Sequence, residues 1–304
     1  MLLTDRLVHT PVDTDSINYA FPGSGVHEGD GGTVGGAIIL TPDHWAATLS
    51  FAHDVGMRVT LNLNCMHGRE GRRWPGYGVC GTANASEPFP PWNGTQSEAL
   101  LRWTVANIPK DQWPAWVGLG NEKTGLIPST QYVEDLKALQ SMLSRVFPSS
   151  TVDHTSNHTP QIYAPCGCSM NLADPGLGSV GFLDAVNAAS QAASDPLQFG
   201  AFSWHSYPQL CKRSTPQSEQ KDLLGGGGLL ATARYYDHIA QTLAAHPPGQ
   251  GRSWITESAY SCAGPANASL GGAHAAVDSM LRAVDMTWSA VALPPTLAFL
   301  ALPR

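Results

Sequence analysis

The sequence predicts an α/β chain built on parallel strands, of the (β/α)8 barrel type. Helix and strand signals alternate along most of its length with no hairpin signal between them, the pattern of parallel strands joined by helical crossovers. Polar and ionisable residues recur just after strand ends: Asn64, then Asn121-Glu122, then His205 with Tyr207, then Glu257. A barrel gathers all such positions on one face, whereas a doubly wound sheet collects a site only near its switch point. The four glycines Gly225 to Gly228 precede a helix signal but follow no strand, so a phosphate-binding loop is not supported.

Taken in order, residues 1–40 are rich in Gly, Asp and Thr without sustained periodicity and read as mostly loop. The first helix follows, with Thr41 as N-cap, Pro42 in the first helical position, Gly56 as C-terminal stop, and Trp45, Leu49 and Ala52 on one side. A strand is expected over 58–64 (RVTLNLN). After a loop rich in Gly, Pro and Trp, Thr95 and Glu98 suggest a capping box for a helix to about Asn107. The strand 115–120 comes next. Ser129 or Thr130 then caps a helix with Val133, Leu136, Leu139 and Leu143 on one stripe. A short strand starts at Gln161. A helix over 180–193 leads to the strand 200–206, and a helix over 229–245 leads to the strand 253–257. The organisation expected is an irregular segment 1–40, a barrel domain 41–290, and a Pro-interrupted apolar tail 291–304.

The 304 residues suffice for one large α/β domain. With 24 acidic and 17 basic residues, a net charge of −7 argues against a nucleic-acid partner and against attraction of a highly sulfated polyanion. Pro294-Pro295 breaks the uncharged run 286–303, so no membrane span is expected. Six cysteines and four sequons, at Asn84, Asn93, Asn157 and Asn267, favour an oxidising, secretory setting. The N-terminus MLLTDRLVHT has no apolar signal core, so either the protein stays inside or its natural start is missing, and the cysteines and sequons favour the second. The barrel reading makes Cys65–Cys80 and Cys211–Cys262 geometrically compatible pairs among the connectivities that sequence leaves open. Cys166 and Cys168, near His154 and His158, match no standard zinc spacing, so no metal is expected.

Glu122 and Glu257 on one face would suit glycoside hydrolysis, one carboxyl protonating the leaving oxygen while the other attacks the anomeric carbon or activates water. Each has a plainer reading, Glu122 as a loop carboxylate paired with Lys123 and Glu257 as a structural ion pair. Arg69, Arg72 and Arg73 in HGREGRRW could clamp a uronate or sulfate, or simply line a solvated loop.

The segments LNLN at Leu61, PAWVGLGNEKTG at Pro114, IYAP at Ile162, FSWHSY at Phe202 and SWITESAY at Ser253 together resemble glycoside hydrolase family 79, the heparanase and β-glucuronidase family of the clan A retaining barrel glycosidases. The resemblance runs from about Thr41 to Ala290 and matches that family's strands three to seven. It implies a TIM-barrel type domain, here incomplete and without the family's C-terminal β-sandwich. It also implies Glu122 as general acid/base, Glu257 as nucleophile, Asn121 as a ligand of the sugar 2-hydroxyl, Tyr207 orienting the nucleophile, and His205 shaping the pocket. Asn64, Tyr260 and Arg69 are the remaining expected substrate contacts.

The resemblance implies a glycan substrate carrying β-linked glucuronic acid, no cofactor, and a secreted or lysosome-like location. Lys123 stands where the family usually has Pro, and Tyr260 follows the expected nucleophile by three residues rather than five. These departures leave two other readings, a clan A β-glycosidase for a neutral sugar and an inactive, truncated glycan-binding fragment.

Overall fold

The computed structural model describes residues 6–9, 17–26, 38–67, 69, 90–121, 127–147, 160–167, 197, 200–206 and 253–258, together with the single positions 188 and 241. Its frame is a six-stranded sheet of β1 (Arg6–His9), β4 (Met57–Leu63), β5 (Trp116–Leu119), β6 (Gln161–Gly167), β7 (Ala201–Ser206) and β8 (Ser253–Ser258), paired in that order. All of its pairings are parallel. Strand order thus follows sequence order without the reversal of a doubly wound sheet. Such a singly wound sheet is the kind that a (β/α)8 barrel closes; the closure itself, and the completeness of the strand set, lie outside the described residues.

Helix α1 (Pro42–Asp54) forms as its local signals require. The Thr41 hydroxyl accepts from the His44 N–H at 3.4 Å, Pro42 opens the first turn, and Gly56 follows the C-cap with φ +68°. Trp45, Leu49 and Ala52 are buried, and the Trp45 indole N–H donates to Thr104 Oγ1 of α2 (Thr95–Asn107) at 2.8 Å. Helix α3 (Ser129–Val146) buries Val133, Leu136, Leu139 and Leu143, as its stripe predicts. Each such side chain taken from water contributes roughly 1.5–3 kcal/mol.

These helices cover one face of the sheet. Val59, Leu61 and Leu63 of β4, Val117 and Leu119 of β5, and Ile162 and Ala164 of β6 join the helical residues in one core. The alternate positions form the other face. There Trp116 and Tyr163 pack with Ala115 and Ala201, while Thr60 and Asn62 are also buried.

Both capping expectations for the later helices are corrected. At α2 the N-cap is Gly94 with no side-chain cap; Asn93 Oδ1 accepts from the Thr95 N–H at 3.0 Å instead. The Glu98 carboxylate is turned away from the helix start, pairing with Arg102 at 2.6 Å and with Arg145 of α3 at 3.0 Å. Helix α3 begins at Ser129 itself, with Pro128 as N-cap.

The segment 1–40 contributes strands as well. The segment read as mostly loop supplies β1, which pairs with β4, and a separate parallel pair of β2 (Ile17–Tyr19) and β3 (Ile38–Leu40). Strands of three or four residues are too short to show a period. They are fixed by distant partners, as when Tyr19 receives the Asn64 N–H at 2.8 Å and donates its own N–H to Gln96 at 3.0 Å. The helices expected over 180–193 and 229–245, and the tail 291–304, fall outside the described residues. Among the described residues no helix is long and apolar enough to cross a membrane.

Candidate active site

Because the strands run parallel, their C-terminal ends share one edge of the sheet. Asn64 lies one residue beyond β4, Asn121 two beyond β5, and His205 and Glu257 near the ends of β7 and β8. Glu122, Tyr207 and Tyr260 lie outside the described residues, as do Arg72, Arg73 and Lys123.

The turn that delivers Asn121 is held from several directions. Gly120 has φ +77°, a conformation that a side chain would strain, and this swings the chain out of β5. Its N–H donates to the Leu63 carbonyl at 2.7 Å, and its own carbonyl accepts from Asn62 Nδ2 at 2.9 Å. One residue earlier, the Leu119 carbonyl accepts from the Tyr132 hydroxyl of α3. Asn62 and Tyr132 are 2% and 4% exposed, so both bonds form away from competing water. For these two residues the one signal in the sequence is an asparagine set between Leu61 and Leu63. Gly118 makes the arrangement fit, because a Cβ there would stand 2.6 Å from Tyr163 Cζ and 2.9 Å from Asn62 Oδ1.

Asn121 is half-buried, and its Oδ1 is buried without a hydrogen-bond partner among the described residues. An amide oxygen so placed is costly unless something donates to it. It is a ready acceptor for a hydroxyl.

Two expected substrate contacts turn out to be internal struts. Asn64 is 3% exposed; its Nδ2 donates to Ile17 O at 2.9 Å and its Oδ1 accepts from Met66 N at 2.7 Å. Both ends of the amide thus bind backbone, tying β2 to the turn after β4. Arg69 points inward as well. Its guanidinium pairs with Asp135 of α3 and donates to the carbonyls of Cys65 at 2.6 Å and Pro90 at 2.9 Å. Its side chain lies wholly out of solvent against Asp135. Sequence distance hid one partner of each: Ile17 lies 47 residues from Asn64 and Asp135 lies 66 from Arg69.

At the far side of the sheet, β7 and β8 pair regularly from Phe202–Ser253 to Trp204–Ile255, then shift by one residue so that His205 pairs with Glu257. Thr256 is the extra residue of this bulge. Without it Glu257 would take the neighbouring register position, and a one-residue slip exchanges the faces of a strand. The bulge therefore sets Glu257 in the same register class as His205 and Ser203.

Among the described residues, no group of three or more His, Cys, Asp or Glu is placed to hold a metal ion. Cys65 is buried at the end of β4, while Cys80, Cys168, Cys211 and Cys262 lie outside the described residues.

Residues 30–171 match the glycosyl hydrolase family 79, N-terminal domain. The resemblance read from the sequence holds over this stretch, which includes Asn64, Arg69 and Asn121-Glu122, and the match supports a glycoside hydrolase. No curated protein matches the chain. Among solved structures, the chain is similar to a 4-O-α-L-rhamnosyl-β-D-glucuronidase from Fusarium oxysporum 12S, at 14% identity and TM-score 0.49, over 85% of this chain and 47% of that one. A family 44 xyloglucanase from Paenibacillus polymyxa shares 11% identity at TM-score 0.46, over 77% of this chain and 57% of that one. A family 44 endoglucanase from Clostridium thermocellum shares 12% at 0.43, over 71% and 54%. The chain spans about half the length of these proteins.

Proposed function

From a chain whose residues 30–171 match the family 79 N-terminal domain, we infer a retaining glycoside hydrolase of barrel type that cleaves β-linked glucuronic acid in glycans. The Glu257 carboxylate attacks the anomeric carbon as the bond to the leaving oxygen breaks, and Glu122 gives that oxygen its proton. A water then yields a proton to Glu122 and displaces Glu257, restoring both carboxyls. Asn121 accepts from the sugar 2-hydroxyl, and His205 and Tyr207 line the nucleophile's side. The acid requires a raised pKa and the nucleophile an ordinary one.

The observation that carries this reading is the common edge, with Asn121 bearing an unpartnered acceptor and Glu257 in register with His205. It also makes a demand on shape. Strands β5 and β8 are three pairings apart, about 14 Å on a flat sheet. Retention needs the carboxyls about 5–5.5 Å apart. The sheet must therefore curl, as it does in a barrel.

The burial of Arg69 favours a second reading, since it removes one cation expected to meet the uronate carboxylate. Together with Lys123 and the shifted Tyr260, it suits a β-glycosidase with a neutral sugar pocket. We place either enzyme in a secreted or lysosome-like setting.

The deciding measurement is intact mass after incubation with a mechanism-based inactivator of glucuronic acid configuration, followed by peptide mapping. An adduct on Glu257, lost in Glu257→Gln, is expected. An adduct only from the glucose-configured reagent would select the neutral-sugar reading. No adduct from either, on protein that melts cooperatively, would refute both.

A further inference from the structure

We propose that Asn62 and Tyr132 are positioning residues for the general acid, acting together on the two carbonyls that precede the Asn121-Glu122 pair. The inference rests on the reading of Glu122 as the acid and goes beyond it by assigning what aims that group. The two peptide planes that precede the Asn121-Glu122 pair are each held from outside the turn. The plane carrying the Leu119 carbonyl is fixed by the Tyr132 hydroxyl, and the plane carrying the Gly120 carbonyl by Asn62 Nδ2 at 2.9 Å. The Gly120 N–H is tied separately to Leu63 at 2.7 Å.

Glycine is the residue least able to hold a conformation by itself, so the outside constraint matters most there. Without Asn62, the 120–121 peptide loses the bond that sets its rotation about an unrestricted glycine. Without the Tyr132 hydroxyl, a buried carbonyl loses its donor. Both residues are anchored in the frame, one as the penultimate residue of β4 and the other in the first turn of α3. Neither needs to touch substrate. A displacement of about 1 Å in a catalytic group can cost on the order of a hundredfold in rate.

A misaimed acid has a signature that a destabilised fold lacks. A poor leaving group needs its proton in the first step, and an activated one does not. The test compares kcat/KM for phenyl and 2,4-dinitrophenyl β-glucuronides, or the corresponding glucosides if wild type accepts those, in Asn62→Ala, Asn62→Asp and Tyr132→Phe. The phenyl substrate should lose tenfold or more in each variant while the dinitrophenyl substrate stays within about twofold of wild type.

Equal losses on both substrates, or none, would overturn the proposal. Should an Asn62 variant be too unstable to assay, Tyr132→Phe, which deletes a single oxygen, carries the test. A wild type inactive on every aryl glycoside would instead refute the proposed function, and this assignment with it, so the two failures are distinct.

Discussion

Arg69 and Asp135 form an ion pair with both side chains withdrawn from solvent, joining the turn after β4 to helix α3. Asp135 also accepts from the Trp92 N–H at 3.1 Å and from Gln131 at 2.9 Å, so the pair anchors the approach to α2 as well. Removing one member leaves the other charge buried alone, at a cost of about 3–5 kcal/mol. Arg69→Ala and Asp135→Asn should each lower the denaturant midpoint strongly. Arg69→Met with Asp135→Leu should recover much of the loss. KM of the protein that remains folded should not change; a KM rise in Arg69→Ala without loss of stability would restore Arg69 as a substrate clamp.

Gly118→Ala tests the packing beneath the Asn-Glu turn. The new Cβ would meet Tyr163 Cε2 at 2.8 Å and Cζ at 2.6 Å, ring atoms of a fully buried side chain. Forced overpacking of this kind costs about 1–3 kcal/mol. Tyr163→Phe should not relieve it, because the atoms met are ring carbons. Thermal melting of the single and double variants decides.

Acid sensitivity should centre in part on Glu98. Burial pushes its pKa up, but the hydrogen bonds and charges of Arg102 and Arg145 outweigh burial and leave it below the ordinary 4.5. A carboxylate whose pKa is lower in the folded chain than in the unfolded one stabilises the fold above the unfolded value, and this is lost as pH falls through the folded value. Denaturation measured from pH 6 to about pH 3 should therefore show a shallower decline in Glu98→Gln than in wild type. Parallel curves would remove Glu98 from the account.

The sequon at Asn93 should carry a glycan when the chain is passed through a eukaryotic secretory pathway. Asn93 is exposed, and its Oδ1 rather than its Nδ2 is engaged by the Thr95 N–H. Enzymatic deglycosylation in ¹⁸O-water followed by fragment-ion mapping should find Asp at position 93. Asn93→Asp, which keeps the Thr95 contact, should lose one glycan in mass without a change in melting temperature. An unmodified Asn93 in secreted, folded protein would refute this.

Helix α1 was readable residue by residue because Thr41, Pro42 and Gly56 act locally, each within a turn of the end it marks. Strands β4, β5, β7 and β8 are also legible to within one residue at each end, and β6 at its start. Their apolar runs are long enough to stand out. Strands β1 to β3 were missed because their order comes from pairing and from contacts such as Tyr19 with Asn64. At the site, residue type pointed to the strand ends but not to direction. Asn64 and Arg69 sit where a ligand contact is expected, yet both turn inward to partners that no local pattern reveals. Asn62, inside an apolar strand, drew no attention because its role exists only once Gly120 lies beside it.

The sequential order of the sheet bears on how the chain is made. From β4 onward each strand pairs with the next one in sequence, so a growing chain leaving the ribosome always finds its docking edge already synthesised. Assembly can proceed vectorially, each new strand adding to the last. Within this sheet, among the described strands, β1 must wait, unpaired, until Met57 to Thr60 emerge.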